Sequence, residues 1–334
     1  MTLSNYHARI HDDLQETKQE ALIMFNKTNG IPNIVVLGGI NMDLTATVSK
    51  FPEPGETIIG KKVFITPGGK GANQAVSAAK LGANVSMIGR VGDDTFAPTL
   101  LRNLQCSGVD IHGIYQAKNT SSGVAIILVD LEGQNKVVVI RGANMTCDES
   151  ELQKTKQALE DANALMLQLE IPSQISISAA KFATEKGIPV ILDPAPTQYL
   201  SQEILDNVDI LTPNQTEAEY LTGIKVTDSN SAKMAAEAIF KLGVNTVVVK
   251  IGAIGAYYIS NNEAGLIPSY QVDAVDSVAA GDAFGAALTV ALCEGKCLKD
   301  AVIYGTASGA LAVTKNGAQS AMPTRIELES FIRT

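Results

Sequence analysis

Ala164-Leu165-Met166-Leu167, Pro189-Val190-Ile191-Leu192, Val208-Asp209-Ile210-Leu211 and Thr246-Val247-Val248-Val249 are four short apolar runs in the second half of a 334-residue chain. Helical periodicity over 149–162, 173–186, 215–222 and 231–242 falls between and around them. Runs this short and continuous suit strands buried on both faces, and their alternation with helices predicts a mainly parallel sheet covered on both sides.

Working outward, the first core strand is Ile34-Val35-Val36-Leu37, which ends at Gly38-Gly39 and is followed by Asn41 and Asp43. Polar groups at the carboxyl end of a central strand stand where open α/β sheets bind ligands. Asn and Asp are also ordinary turn residues. Residues 44–66 change character: Thr45-Ala46-Thr47-Val48 and Thr57-Ile58-Ile59 flank a turn at Pro52, Pro54 and Gly55, and 61–66 continue extended. Residues 121–141 repeat that character, with 124–129 and 136–140 joined by a turn near Gly133. Two hairpins outside the βα rhythm predict one small separate sheet, a lid or a dimer surface, because one of its faces needs cover. Residues 1–30 are expected to be a helical or frayed extension ahead of an α/β domain over 31–334.

Composition narrows the chemistry. Apolar residues make up 46 %, there is no Trp, and the net charge is −9 with the acid spread along the chain. A basic face for nucleic acid is therefore not expected, nor is a membrane span, since no apolar run approaches about 20 residues. Cys106, Cys147, Cys293 and Cys297 read as reduced thiols of a cytoplasmic protein. Cys293 and Cys297 are four apart on a predicted helix, but no nearby His completes a metal set. His7, His11 and His112 are the only histidines, so a carboxylate is the natural candidate for a base.

Two glycine sites carry the functional reading. Asp276-Ser277-Val278-Ala279-Ala280-Gly281-Asp282 leads into a helix read from Asp282 onward. Its small residues let backbone N–H groups approach a ligand, and a helix N-terminus suits a phosphate. A carboxylate there is poor for holding an anion but apt for deprotonating an alcohol that attacks one. Taken alone, a Gly-Asp before a helix is more often a cap than a catalyst. Far upstream, Pro67-Gly68-Gly69-Lys70-Gly71-Ala72-Asn73-Gln74 opens a small-residue helix and offers donors suited to a neutral polyol. The P-loop pattern at 55–62 fails because Lys62 stands where Ser or Thr is needed, and a dinucleotide fingerprint fails at Gln74.

Together these two segments strongly resemble the ribokinase family of carbohydrate kinases, from about residue 33 to 332. Gly39-Ile40-Asn41-Met42-Asp43, Gln168-Leu169-Glu170, Asp193-Pro194-Ala195-Pro196 and Thr212-Pro213-Asn214-Gln215-Thr216-Glu217-Ala218-Glu219 support it in order and spacing. The resemblance implies a three-layer α/β/α fold with a small β-sheet lid, and transfer of the ATP γ-phosphate to the 5-hydroxyl of D-ribose. By that resemblance Asp282 is the base, with Ala279, Ala280 and Gly281 as the anion hole. Asn41, Met42, Asp43, Gly69, Lys70, Gly71, Ala72, Asn73 and Glu170 form the sugar site. Asn214 and Glu217 act near Mg²⁺ and the phosphates, with Glu219 a solvated helix residue. Lys250-Ile251-Gly252-Ala253-Ile254-Gly255 is the ATP phosphate loop, and Thr306, with neighbours around Ser308, borders the adenine. Asp276, Val278, Ala312, Lys315, Gly317 and Ala321 match a K⁺ site; Ala321 stands where the family often has a serine, and Ser320 is the substitute one residue earlier. A homodimer through the lid sheet is implied as well. Another kinase of the family, acting on deoxyribose, a ketohexose or a nucleoside, and a sugar or nucleotide sensor without catalysis are the alternatives.

Overall fold

The computed structural model describes residues 30–132 and 134–333; the extension expected before residue 30 and the turn residue Gly133 lie outside them. In chain order the strands and helices of the first half are β1 (Asn33–Leu37), β2 (Asn41–Thr47), β3 (Lys62–Gly68), α1 (Lys70–Lys80), β4 (Asn84–Val91), α2 (Ala97–Cys106), β5 (Val109–Gln116), β6 (Gly123–Val129) and β7 (Asn135–Ile140). There follow α3 (Glu149–Leu159), β8 (Ala164–Leu167), α4 (Ser173–Glu185), β9 (Val190–Leu192), α5 (Gln202–Leu205), β10 (Ile210–Leu211), α6 (Gln215–Thr222), α7 (Ser229–Phe240) and β11 (Thr246–Lys250). The chain closes with β12 (Gly255–Ser260), β13 (Ala264–Pro268), α8 (Ala280–Cys293), α9 (Leu298–Ala312) and α10 (Arg325–Ile332).

The large sheet has the order β13-β12-β11-β10-β9-β8-β1-β4-β5. From β5 to β11 the strands run parallel, and β12 and β13 complete one edge antiparallel. Alternate residues of β1 enter opposite cores: Ile34 and Val36 pack into one cluster, Val35 and Leu37 into the other. That is why the central strands read as unbroken apolar runs and not as alternating patterns. Helix α8 is buried from Asp282 to Cys293. Each large aliphatic side chain on it contributes on the order of 2 kcal/mol of burial.

A second sheet, order β3-β2-β6-β7, stands apart from the first, as the two hairpins predict. The first hairpin differs from expectation in its second arm. Residues 56–60 are irregular, Ile59 is exposed, and β3 begins at Lys62. Register explains the shift: Thr47 pairs with Lys62 and Asn41 with Gly68, so pairing is counted back from the glycine segment and the residues before Lys62 are left as loop. Pro67 sits on β3, at the sheet edge, where a missing N–H removes no ladder bond. Three further differences are local. The helix expected from Asp282 begins at Ala280. The strand expected from Val208 begins at Ile210. Cys293 ends α8 while Cys297 precedes α9, so they do not share a helix; all four cysteines are free. Among the described residues no helix is long and apolar enough to cross a membrane.

Candidate active site

The carboxyl ends of β1, β8, β9, β10 and β11 converge on one side of the large sheet. Chain order reverses between β1 and β8, the switch point where α/β sheets open a crevice. Gly38-Gly39 leaves β1 there, Gln168 to Glu170 leave β8, Asp193 leaves β9, Asn214 leaves β10, and Lys250 ends β11. The second sheet contributes the start of β2, so Asn41 and Asp43 face this crevice from the other side, while the Met42 side chain alternates away into the core.

Five polar groups are drawn together around the start of α1. Glu170 Oε1 accepts from Asn41 Nδ2 at 3.2 Å, and Oε2 accepts from the Lys70 N–H at 2.8 Å. Asn41 is itself held by Asn144, which donates to its Oδ1 at 2.7 Å. A Cβ on Gly39 would stand 2.3 Å from Glu170 Oε2, and one on Gly68 2.1 Å from Asp43 Oδ2. These glycines are there because carboxylates occupy the space their side chains would take. Burial, with Glu170 and Asp282 nearby, raises the Asp43 carboxyl to about 7. No donor among the described residues reaches that carboxylate, which is 7 % exposed at the crevice.

Asp282 lies in the first turn of α8. Its Oδ2 accepts from Asn73 Nδ2 at 2.9 Å and its Oδ1 from Gln74 Nε2 at 3.1 Å. Burial raises its carboxyl above the ordinary range, Lys70 opposes the shift, and Asp193 adds to it. Asp193 accepts from Lys250 Nζ at 2.7 Å and stands 3.6 Å from Lys70 Nζ. Burial alone would raise the Asp193 carboxyl, but Lys250 and Lys70 hold it low. Conversely, burial works against the Lys70 ammonium, and Asp193, Asp282, Glu170 and Glu217 outweigh it, so Lys70 stays charged.

Helix α8 starts abruptly. Ala279, its N-cap, adopts φ 59° and ψ 10°, the left-handed region, at a cost of about 1 kcal/mol or more for a non-glycine residue. The N–H groups of Gly281 and Asp282, in the first turn, have no acceptor within the helix; that of Ala280 makes a long 3.4 Å bond to the Ser277 carbonyl. These residues border a cavity of about 670 Å³ that also meets Lys70, Asn214, Glu217 and Lys250. Asn214 and Glu217 cap α6 reciprocally: Asn214 Oδ1 accepts from the Glu217 N–H at 2.9 Å and Glu217 Oε2 from the Asn214 N–H at 2.8 Å. Burial, then Asp193, raises the Glu217 carboxyl. Glu219 is exposed, as expected. In the expected phosphate loop Lys250, Gly252, Ala253 and Gly255 line the cavity, whereas Ile251 packs into the core and Ile254 is exposed. Thr306 lines the cavity but gives its hydroxyl to the Val302 carbonyl; Ser308 does not line it.

Among the expected cation residues, the side chains of Asp276 and Lys315 have partners within the fold. Asp276 ties two loops together, accepting from the Val278 N–H and the Gly317 N–H, each at 3.0 Å. The Lys315 side chain pairs with Glu327 at 2.7 Å. Ala321 is fully buried and brings no side-chain oxygen, and Ser320 gives its hydroxyl to the Asn316 carbonyl at 3.1 Å. Among the described residues no group of three or more His, Cys, Asp or Glu side chains could cage a metal ion. Glu217, at the cavity wall, is a carboxylate that could hold Mg²⁺ beside a bound nucleotide.

Asp193, Gln74, Gln168, Asn144 and Gln319 are site residues to which sequence reasoning gave no role. Asp193 carried a signal, an acid directly after an apolar strand. Gln319 Nε2 donates to Asn73 Oδ1 at 3.2 Å from 246 residues away, and no local pattern announces it.

Known proteins resemble this chain over most of its length. The profile of the pfkB family carbohydrate kinases matches residues 32–325. A ribokinase of Haemophilus influenzae is 40 % identical over 299 residues, covering 90 % of this chain and 98 % of its own length. The structure of a Thermotoga maritima ribokinase is 38 % identical with a TM-score of 0.80, covering 91 % of this chain and 100 % of its own. The structure of Arabidopsis thaliana ribokinase complexed with ribose and ATP is 32 % identical with a TM-score of 0.83 over the same shares.

Proposed function

The chain belongs to the pfkB family of carbohydrate kinases, and from that premise we propose that it transfers the γ-phosphate of ATP to the 5-hydroxyl of D-ribose. Its class, a phosphotransferase with an alcohol acceptor, follows from the family. The observation that carries the finer reading is Asp282: a buried carboxylate at the mouth of a helix N-terminus, at the meeting point of the glycine loop and a large cavity.

Asp43 accepts from vicinal ring hydroxyls, and Asn41, Lys70, Asn73 and Glu170 hold the rest of the sugar. The 5-hydroxyl gives its proton to Asp282; its oxygen bonds to the γ-phosphorus as the bond to the β–γ bridging oxygen breaks, and that electron pair leaves with ADP. The N–H groups at the start of α8 and the Lys250 ammonium meet the charge of the transferring group. Glu217 and Asn214 would hold Mg²⁺ arriving with the nucleotide, which would supply neutralisation of phosphate charge. The backbone carbonyls of Val278, Ala312 and Gly317, beside Asp276, would hold an activating K⁺, with no hydroxyl at Ala321. The small sheet serves as a lid, and Val63, Ile65, Ile126 and Val138, all exposed and on one face by register, form the face that a second copy covers in a homodimer.

A coupled ADP-release assay across pentoses, ketohexoses and nucleosides, with and without K⁺, tests this. Ribose is expected to have the highest kcat/KM, and 2-deoxyribose, which offers Asp43 one hydroxyl fewer, a much lower one. Another acceptor turned over with about tenfold greater kcat/KM would overturn the substrate assignment.

A further inference from the structure

Gln74 follows the last motif residue assigned to the sugar, and it is 1 % exposed. Its amide stands between two carboxylates, with Nε2 3.1 Å from Asp282 Oδ1 and 3.5 Å from Asp193 Oδ2. On the other side its Oε1 accepts from Gln168 Nε2 at 2.6 Å. That contact fixes which end of the amide faces the acids, since two carboxylates need donors and Gln168 supplies one to the carbonyl. Gln168 is fully buried as well, and Gly38 leaves room for it: a Cβ there would stand 1.8 Å from its Oε1. A buried amide pair thus connects the ends of β1 and β8 to one oxygen of the base.

We infer that Gln74 is a positioning residue for Asp282: held by Gln168, it pins Oδ1 so that Oδ2, on the Asn73 side, faces the acceptor hydroxyl. Asn73 anchors Oδ2 and belongs to the sugar subsite, so its bond is the one that rearranges when sugar enters. The Gln74 side chain makes its hydrogen bonds to Asp282, Asp193 and Gln168, none of them assigned to the sugar subsite. Its role is to keep the carboxylate plane fixed and to place a donor between Asp282 and Asp193, which otherwise repel across a buried gap. The other groups facing Asp282 are Lys70 on α1, Asp43 on β2, Glu170 after β8 and, next to Gly281, Lys250. None of them occupies Oδ1.

This inference rests on Asp282 being the base, and Asp282→Asn tests that premise by itself: turnover surviving in that variant removes the premise, whatever Gln74 does. The positioning role is tested with Gln74→Met, which keeps length and bulk without a donor, in the full chain with ribose and ATP. We expect kcat near neutral pH to fall about tenfold to a hundredfold with the ribose KM within about threefold. The acid limb of the kcat profile should move to higher pH, because the charged form of Asp282 has lost a donor. Gln168→Met leaves Gln74 in place but frees its carbonyl; the limb should move the same way by less. A loss of kcat by one factor at every pH, an unchanged kcat, or a change confined to KM would overturn the assignment. Should Gln74→Met not fold, as read by its melting transition, Gln168→Met decides on the same criteria.

Discussion

Asp43→Asn should make the protein more stable and far less active, and the size of the first effect follows from the structure. Burial, Glu170 and Asp282 raise the Asp43 carboxyl from 3.8 to about 7 in the fold. Between those values the folded chain binds a proton that the unfolded chain has released. Stability therefore falls as pH rises through that window and levels off above about 7. At about 1.36 kcal/mol per tenfold change in proton affinity, the cost is roughly 2 kcal/mol at pH ~5 and roughly 4 kcal/mol at pH ~8. An asparagine has no charge to desolvate, so the variant should gain up to those amounts, and more at the higher pH. Urea denaturation of both proteins at the two pH values measures this. A gain equal at both, or a loss at the higher, would refute the account of Asp43 as a charge stored for a ligand. In the same variant kcat/KM for ribose should drop about a hundredfold or more, as the hydroxyls lose a charged acceptor.

Asp282→Asn should lower kcat about 10²- to 10⁴-fold while ribose still binds, read by ADP release and by calorimetric titration of the sugar. Gly68→Ala places a Cβ 2.1 Å from Asp43 Oδ2; the carboxylate must move by about 1 Å, and kcat/KM should fall on the order of a hundredfold with the circular dichroism spectrum unchanged. Ala279→Gly relieves a left-handed backbone at the start of α8, so the melting temperature should rise, by about 1 kcal/mol of stability, or at least not fall. Ile65→Asp puts a charge on the exposed face of the small sheet shared with Val63 and Val138; light scattering should show a smaller species than the parent chain, and an identical mass for both would remove that face as the dimer surface.

Much of the fold was legible because it is written in local periodicity. The runs at 164–167 and 246–249 and the helix at 215–222 appear in the structure almost residue for residue, since continuous apolar tetrads and a capped amphipathic helix are local signals. The arm expected at Thr57-Ile58-Ile59 shows the limit. Strand propensity favours it, yet pairing is set by Asn41 meeting Gly68, a constraint from the crevice that no window of 57–59 contains. The strands β12 and β13 escaped notice for a related reason: they form an antiparallel edge outside the βα rhythm.

The site divides in the same way. Sequence by itself singled out the chemistry: two glycine segments, a carboxylate at a helix start and an acid after the first strand, since steric demand and charge are properties of residue types. Only the tertiary structure decided how those charges are shared. Asp193 bridges Lys70 and Lys250, Gln74 reaches Asp282 across 208 residues, and Asp43 has no donor among the described residues. Whether an acid is paired, pinned or left waiting depends on distances of a few ångströms between strand ends, and those exist only once the sheet has brought the ends together.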